Sequence, residues 1–516
     1  MNQFIVKYQE HTSGVLSGFD RLVLRGTLRY IAFADGMFRF LGRVGVLLKN
    51  FGAYVESTSI QLRAASCAAA ERLGRPIRYL ASANTRKEAV ARQIAQDDGI
   101  SEGLICVLTC VEPCRSFEVY RDRQSKRLLL QSRLRKCLHL YHYWMDPQFG
   151  FMHARIQTWF PFNVQVCLNG REWLARQMDR RGMAYERREN CFSRIDDVPR
   201  AQRWMDRLLR QRWPRLLDEI ARQLNPLGSK LLGGVSIPYY WSVHQSEWAT
   251  DILFNSPAEL AAIYRPLVRG GIVAFSSRDV MRFLGKKPGG NFRGEVVSHY
   301  KQRPEGIRVK HELKQNSVKV YDKQGSVLRV ETTINRADDF RVFRPKQGDP
   351  DGHCQWQPMR KGIADLHRRA EVSQAANERY LQALASLSTD EPLPELLGPV
   401  CRPVSWRGQR VRALQPWSAH DRALLQAINR GEFAINGLRN RDLAAILYPH
   451  ARTSEDAKRR AASHVTRCLR LLRAHGVLRK VPHTHRYTLT ERGRTIATAI
   501  LMYQNLTVEQ LNQLAA

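Results

Sequence analysis

A tyrosine stands between lysines in Ser317-Val318-Lys319-Val320-Tyr321-Asp322-Lys323, and the turn Gln324-Gly325-Ser326 leads into Val327-Leu328-Arg329-Val330-Glu331-Thr332-Thr333-Ile334. Val318 and Val320 alternate with Lys319, Tyr321 and Lys323, as Leu328 and Val330 alternate with Arg329, Glu331 and Thr333, which predicts two strands of a hairpin. Pairing apolar with apolar puts Lys319, Tyr321, Lys323, Arg329 and Glu331 on one polar face. Such a face suits phosphodiester transesterification. The cations lower the cost of a phenolate and stabilise a pentavalent phosphorus, while the carboxylate can hold a divalent metal. The same hairpin also suits a non-catalytic role in which Tyr321 stacks on a base.

The pattern Lys319-x-Tyr321-x-Lys323 followed by Arg329-x-Glu331 resembles a segment of plasmid and phage rolling-circle replication initiators, in the group without a paired-histidine metal site. The resemblance implies that Tyr321 is the nicking nucleophile and that Glu331, with an upstream carboxylate, binds Mg²⁺ or Mn²⁺. Without catalysis no cofactor is expected. His139 and His142 lie three apart and would face opposite ways on a strand, and His153 stands alone, so the His-apolar-His signature of the commoner nickase fold is absent. Asp20, Glu118, Asp196, Asp197 and Glu331 are acids in or beside strand-like segments. Two or three of them, with Asp20, Glu118 and Glu331 as the expected set, are placed to converge on metal in a core of ribonuclease-H type. For each acid singly, a salt bridge to an arginine is the competing role.

Cys106, Cys110 and Cys114 recur every four residues and share a face on an extended strand, with Cys137 or His139 as conceivable zinc partners; buried free thiols are the competing reading. Tyr141, His142, Tyr143, Trp144, His153, Arg155, Gln157 and Trp159 interleave aromatic and polar groups, as a single-strand stacking platform or as core aromatics would. The glycine-lysine segment at 285–290 has phosphate-loop composition but no Gly-Lys-Ser/Thr ending, which argues against an ATPase.

The whole chain is cationic: 82 Lys+Arg against 48 Asp+Glu in 516 residues give +34, and 17 of the 82 are Lys, leaving 65 Arg. That balance excludes most small-metabolite enzymes and favours nucleic acid as partner, DNA first and structured RNA as well suited by the arginines. No apolar run approaches the ~18 residues of a membrane span, so no membrane partner is expected. The amino terminus lacks the apolar stretch of a secretory signal, and ten cysteines in this length read as reduced thiols, so a cytoplasmic location is expected.

Periodicity predicts an α+β protein: a mixed, sheet-containing N-terminal core with helical insertions, a helical and proline-rich connector, and a C-terminal domain. The expected domains are 1–135, 136–345, 346–416 and 417–503. One long amphipathic helix is expected over 196–224, interrupted by Pro199 and Pro214, and a proline-rich linker over 389–416. From Trp417, three helices (418–429, 439–447, 454–474) precede a strand at 476–481, a turn, a strand at 486–490 and a final helix. This order, with the ending Tyr487, Leu489, Thr490 and Gly493, resembles a winged helix-turn-helix domain. The resemblance implies a third helix in the major groove and a wing on the backbone. Lys458, Arg459, Arg460, Arg467 and Arg470 crowd that helix, and Arg479, Lys480, His485 and Arg486 decorate the wing. Residues 452–494 hold 12 Lys/Arg and 3 Asp/Glu, hence +9.

Overall fold

A computed structural model describes residues 3–504 apart from 274, 276, 287–295, 304–305, 347, 350, 386–392, 430–432, 434–436, 453 and 483. Most of the glycine-lysine segment at 285–290 lies outside the described residues. The first nine strands are β1 (Thr12–Leu28), β2 (Ile77–Leu80), β3 (Gly103–Arg121), β4 (Leu128–Asp146), β5 (Gly150–Gln157), β6 (Val164–Asn169), β7 (Tyr185–Arg188), β8 (Cys191–Ile195) and β9 (Tyr239–Phe254). Four more follow: β10 (Val296–Arg303), β11 (Gly306–Leu313), β12 (Asn316–Lys323) and β13 (Val327–Ile334). The architecture is α+β. Two compact units share the chain, each gathered from separated stretches: 13–254 with 326–374, and 1–12 with 255–325 and 375–516.

In the first unit the sheet runs β13-β9-β1-β6-β5-β4-β3-β2. β2 is parallel to β3, while β3/β4, β4/β5, β5/β6, β6/β1 and β9/β13 are antiparallel. The β3–β4 hairpin turns on Asp122, whose carboxylate accepts from both the backbone N–H and the hydroxyl of Ser125 at 2.7 Å. β4 then pairs with β5 from Asp146↔Gly150 to His139↔Gln157. β3, β4 and β5 are thus one continuous meander through a shared strand. That strand runs straight through the expected domain break at 135/136, and the units follow tertiary contacts rather than chain order.

Helices Phe51–Arg72, Gly170–Asp179, Val198–Arg207 and Trp213–Leu224 supply Leu62, Trp173, Leu174, Trp204 and Leu217 to a core shared with Leu24, Ile156 and Val166 of the strands. The single helix expected over 196–224 is two. Each proline sits in the first turn of its own helix, where a missing N–H leaves no bond unmade, so Pro199 and Pro214 begin helices rather than interrupt one. The break falls at Gln211-Arg212.

In the second unit β10, β11 and β12 form an antiparallel meander. The buried His311 bridges Ser298 Oγ (2.7 Å) and Tyr380 OH (3.0 Å) beside it. The expected linker over 389–416 is partly folded: Leu396, Val400, Val411 and Leu414 join a core with Leu424, Leu443, Val465 and Leu472. The apolar residues among those prolines find a helical partner, and composition alone hides this. Helices Ala419–Ile428, Asn440–Leu447 and Glu455–Ala474 precede strands Leu478–Lys480 and Tyr487–Leu489 and the helix Glu491–Gln504. Ser418 and Ser454 cap the first and third helices, accepting from Asp421 N (3.1 Å) and Ala457 N (3.2 Å). No helix among the described residues is long and apolar enough to cross a membrane.

Gly493 opens the last helix against the chain at Val477, where an added Cβ would lie 2.1 Å from the carbonyl oxygen. Gly493→Ala is therefore expected to destabilise the second unit by about 1–3 kcal/mol, as overpacking does. Urea unfolding followed by circular dichroism measures it, and an unchanged midpoint would show that the backbone yields there.

Candidate metal centre

Every residue of β13 is buried, so the strand has no exposed polar face. The alternation that suggested one is real, but both faces are covered. Arg329 and Glu331 therefore do not join a solvent-facing surface around Tyr321; they are interior groups of the first unit. Arg329, opposite Asp251 on β9, is fully buried. A guanidinium out of water needs carboxylates around it, and it has two. Its Nε and Nη2 donate to Asp251 at 2.5 and 2.9 Å, and its Nη1 donates to Asp20 Oδ2 at 3.1 Å. Nη2 also reaches the Asn190 carbonyl in the β7–β8 turn at 2.8 Å. Arg171, likewise fully buried, donates at 2.9 Å to Asp251 Oδ2, the oxygen it shares with Arg329 Nη2. Burial alone would raise the Asp251 carboxyl, yet Arg329 and Arg171 hold it below the usual carboxylate range.

Asp20 is oriented by three donors. Besides Arg329 it accepts from Asn190 Nδ2 (2.6 Å) and Asn169 Nδ2 (3.3 Å). Asn169 is at the same time the N-cap of the helix Gly170–Asp179, its Oδ1 accepting from Arg171 N and Glu172 N. The helix can start this close to β1 only because residue 170 is glycine: an added Cβ would lie 1.9 Å from the Phe19 carbonyl oxygen.

Carboxylate oxygens of Asp20, Glu247 and Glu331 lie within 4.8 Å of one another. They come from β1, β9 and β13, three neighbours in the sheet. An all-carboxylate set at this spacing matches the oxygen ligands that hard divalent cations take. Asp20 and Glu247 also line a cavity of about 390 Å³ with Arg21, Glu88, Arg92, His153 and Asn190. Burial, with Arg21 and Arg155 near, pushes His153 down to about 3, so it stands there as a neutral imidazole.

Two of the three expected metal ligands, Asp20 and Glu331, are thus brought together. Glu118 is not: it stays on β3, held by Gln131 (3.0 Å), Arg133 (2.9 Å) and Arg135 (3.1 Å) across the hairpin. Asp197 caps the helix that follows it, and Asp196 lies 3.9 Å from Arg194. The place of Glu118 is taken by Glu247, which sequence reasoning missed together with Asp251 and Arg171. The available signal was two acids, four residues apart and hence on one face, inside the otherwise apolar half of a long strand.

In the second unit, Lys319, Tyr321 and Lys323 are half-buried on β12, with Tyr321 opposite Arg308 and the Lys319 ammonium 5.5 Å from the tyrosine ring centre. Of the candidate nucleic-acid contacts, Lys458, Arg459, Arg460, Arg467, Arg479, Lys480 and His485 are exposed; Arg470 and Arg486 are half-buried. The aromatics over 141–159 are mainly packed inward: Tyr141 and Tyr143 are buried, and His142 stacks on Trp144 while bonding Ser66. No family model, curated protein or solved structure matches the chain.

Arg329→Met leaves two buried aspartates short of a counter-charge and is expected to cost about 3–5 kcal/mol, measured by chemical denaturation. The Asp251 carboxyl is held below its ordinary value. Its contribution is therefore complete above about pH 4 and is lost as pH falls through the lower folded value. Stability measured against pH should fall on the acid side in the native chain and fall less steeply in Asp251→Asn.

Proposed function

We propose that this protein binds nucleic acid in the service of a mobile element or replicon, and cleaves or transfers phosphodiesters at a divalent-metal centre on Asp20, Glu247 and Glu331. The observation that carries the reading is the convergence of three carboxylates in a chain of net charge +34. A carboxylate cluster repels phosphate, so an anionic substrate reaches it only with positive charge placed between the two. Mg²⁺ or Mn²⁺ supplies that charge when bound, polarises a phosphoryl oxygen and lowers the pKa of a water ligand. The protein's part is to fix the ligands. Asn169, Asn190 and Arg329 leave Asp20 one orientation, and Arg21 and Arg92 on the cavity wall offer donors to phosphate oxygens.

The order of the C-terminal helices and strands supports the winged-helix reading, with Arg459, Arg460 and Arg467 on the outward face of its third helix. Their work is neutralising backbone phosphates, on DNA or on structured RNA. Water is the nucleophile at the carboxylate centre; Tyr321, on β12 of the second unit and favoured by its lysine neighbours, is the nucleophile of a separate nicking version.

End-labelled single-stranded DNA, duplex DNA and structured RNA, incubated with Mg²⁺ or Mn²⁺, test the proposal. Cleavage is expected with metal and none in Asp20→Asn or Glu331→Gln, while Asn190→Ala loses about 10–100-fold in metal affinity or activity. A covalent protein–nucleic acid adduct that disappears in Tyr321→Phe identifies the nicking version, and cleavage without adduct the hydrolytic one. Tight binding with no cleavage under any of these metals would leave a non-catalytic regulator and sink the enzymatic reading. For the C-terminal contacts, Arg459→Ala with Arg467→Ala should weaken binding evenly across sequences and reduce the slope of log K against log salt by about two.

A further inference from the structure

A second cluster of a different chemistry lies on the same sheet, outside the carboxylate centre. Register places Glu112 opposite Cys137 and Cys110 opposite His139, so Cys114, two residues beyond Glu112, shares a face with Cys137 and His139. All three side chains are buried, and the Cys114 Sγ, the Cys137 Sγ and a His139 ring nitrogen lie within 4.8 Å of one another. We propose that Cys114, Cys137 and His139 bind a zinc ion through two thiolates and one imidazole, with a fourth position open to the adjoining cavity.

The imidazole has a backbone partner that bears on its tautomer. His139 Nδ1 sits 3.2 Å from the Cys137 carbonyl oxygen. A proton on Nδ1 donated to that oxygen leaves the Nε2 lone pair for a metal, the arrangement that outer hydrogen bonds impose on metal-binding histidines. A tetrahedral ion with Zn–S near 2.3 Å and Zn–N near 2.0 Å needs ligand atoms roughly 3.5–3.8 Å apart, a closure that side-chain rotation supplies from the present spacing. Two thiolates neutralise the dication, so Arg155 and Arg135 nearby are not left facing an excess of positive charge.

The donor set departs from a closed structural site, which takes four protein ligands. Cys114 and His139 instead line a cavity of about 290 Å³ together with Arg25, Arg115, Arg155 and Gln157. A water or a small anion drawn by those arginines completes the coordination. Soft thiolates select against Mg²⁺ and Mn²⁺, so the two centres take different metals. Of the three cysteines at four-residue spacing, only Cys114 belongs to the cluster; Cys106 and Cys110 pack with Ile94 and Ile105 in an apolar group.

Full-length protein purified from zinc-supplemented cells, without chelator, tests this by elemental analysis. The Cys468→Ala background removes a ligand of the separate His420–His464–Cys468 cluster. About one zinc per chain is expected in that background, falling to about a tenth or less with Cys114→Ser or His139→Asn added and unchanged with the exposed Cys401→Ser. Zinc that persists in both ligand variants overturns the site, as does a Cys114–Cys137 disulfide in peptide mass spectra of freshly purified, metal-free protein. A readout on the unaltered ligands guards against misfolded variants. Co²⁺ substituted into the Cys468→Ala protein should show thiolate charge-transfer bands and intense tetrahedral d–d bands, the latter shifted by thiocyanate. Weak octahedral bands without charge transfer refute thiolate ligation, and bands insensitive to thiocyanate refute the open position.

Discussion

Two arginines and two aspartates removed from water join four separate stretches of the first unit. Arg329 on β13 grips Asp251 on β9 with two nitrogens and Asp20 on β1 with a third, while Arg171 holds Asp251 from the start of a helix. Each ion is tolerable inside only because the others are there, since an unpaired buried charge costs several kcal/mol. The arrangement therefore specifies which strands are neighbours and in what register. It also decides what else the interior holds. Glu331 lies two residues along β13 from Arg329, and Glu247 four along β9 from Asp251, so the register that closes the ion cluster carries the further carboxylates to Asp20. The carboxylate cluster adjoins a charge network whose inner part is structural.

The legible part of this was considerable, and its limits are physical. Asp20 and Glu331 stood out as acids in strand-like sequence. Glu118 stood out for the same reason and went elsewhere, because Arg133 and Arg135 follow on the paired strand and claim it first. Nothing in a period of two separates an acid with an arginine across the ladder from one without. Arg329 was misread for a related reason: alternation reports two faces but not whether either meets water, and β13 is covered on both. Glu247 was passed over because its strand reads as aromatic and the acid as an interruption. Discontinuity escaped entirely, since no composition shift marks 254/255 or 325/326, where the chain passes from one unit to the other.

The arginine content also divides into two uses. Arg171, Arg329 and Arg369 are buried. Others lie over rings: Arg29 at 3.8 Å from the centre of Tyr240, Arg92 at 3.9 Å from Phe151, and Arg181 and Arg200 on Trp204. These guanidiniums act as planar packing groups that keep their charge. The four over rings are nonetheless exposed, like Arg459, Arg460, Arg467 and Arg479, so only the buried arginines are withdrawn from the charge that faces solvent. The salt dependence of polyanion binding would report the exposed set alone.

The gathering of the first unit from 13–254 and 326–374 has a consequence for biosynthesis. Asp20, Glu247 and Asp251 emerge from the ribosome well before Arg329 and Glu331. At typical elongation rates the interval is on the order of ten seconds. During it the emerged aspartates lack the Arg329 that later neutralises them, and the carboxylate set lacks its third member. Maturation is thereby tied to the arrival of one late strand. A nascent chain stalled before it would hold an open sheet edge at β9 and only two of the three clustered carboxylates.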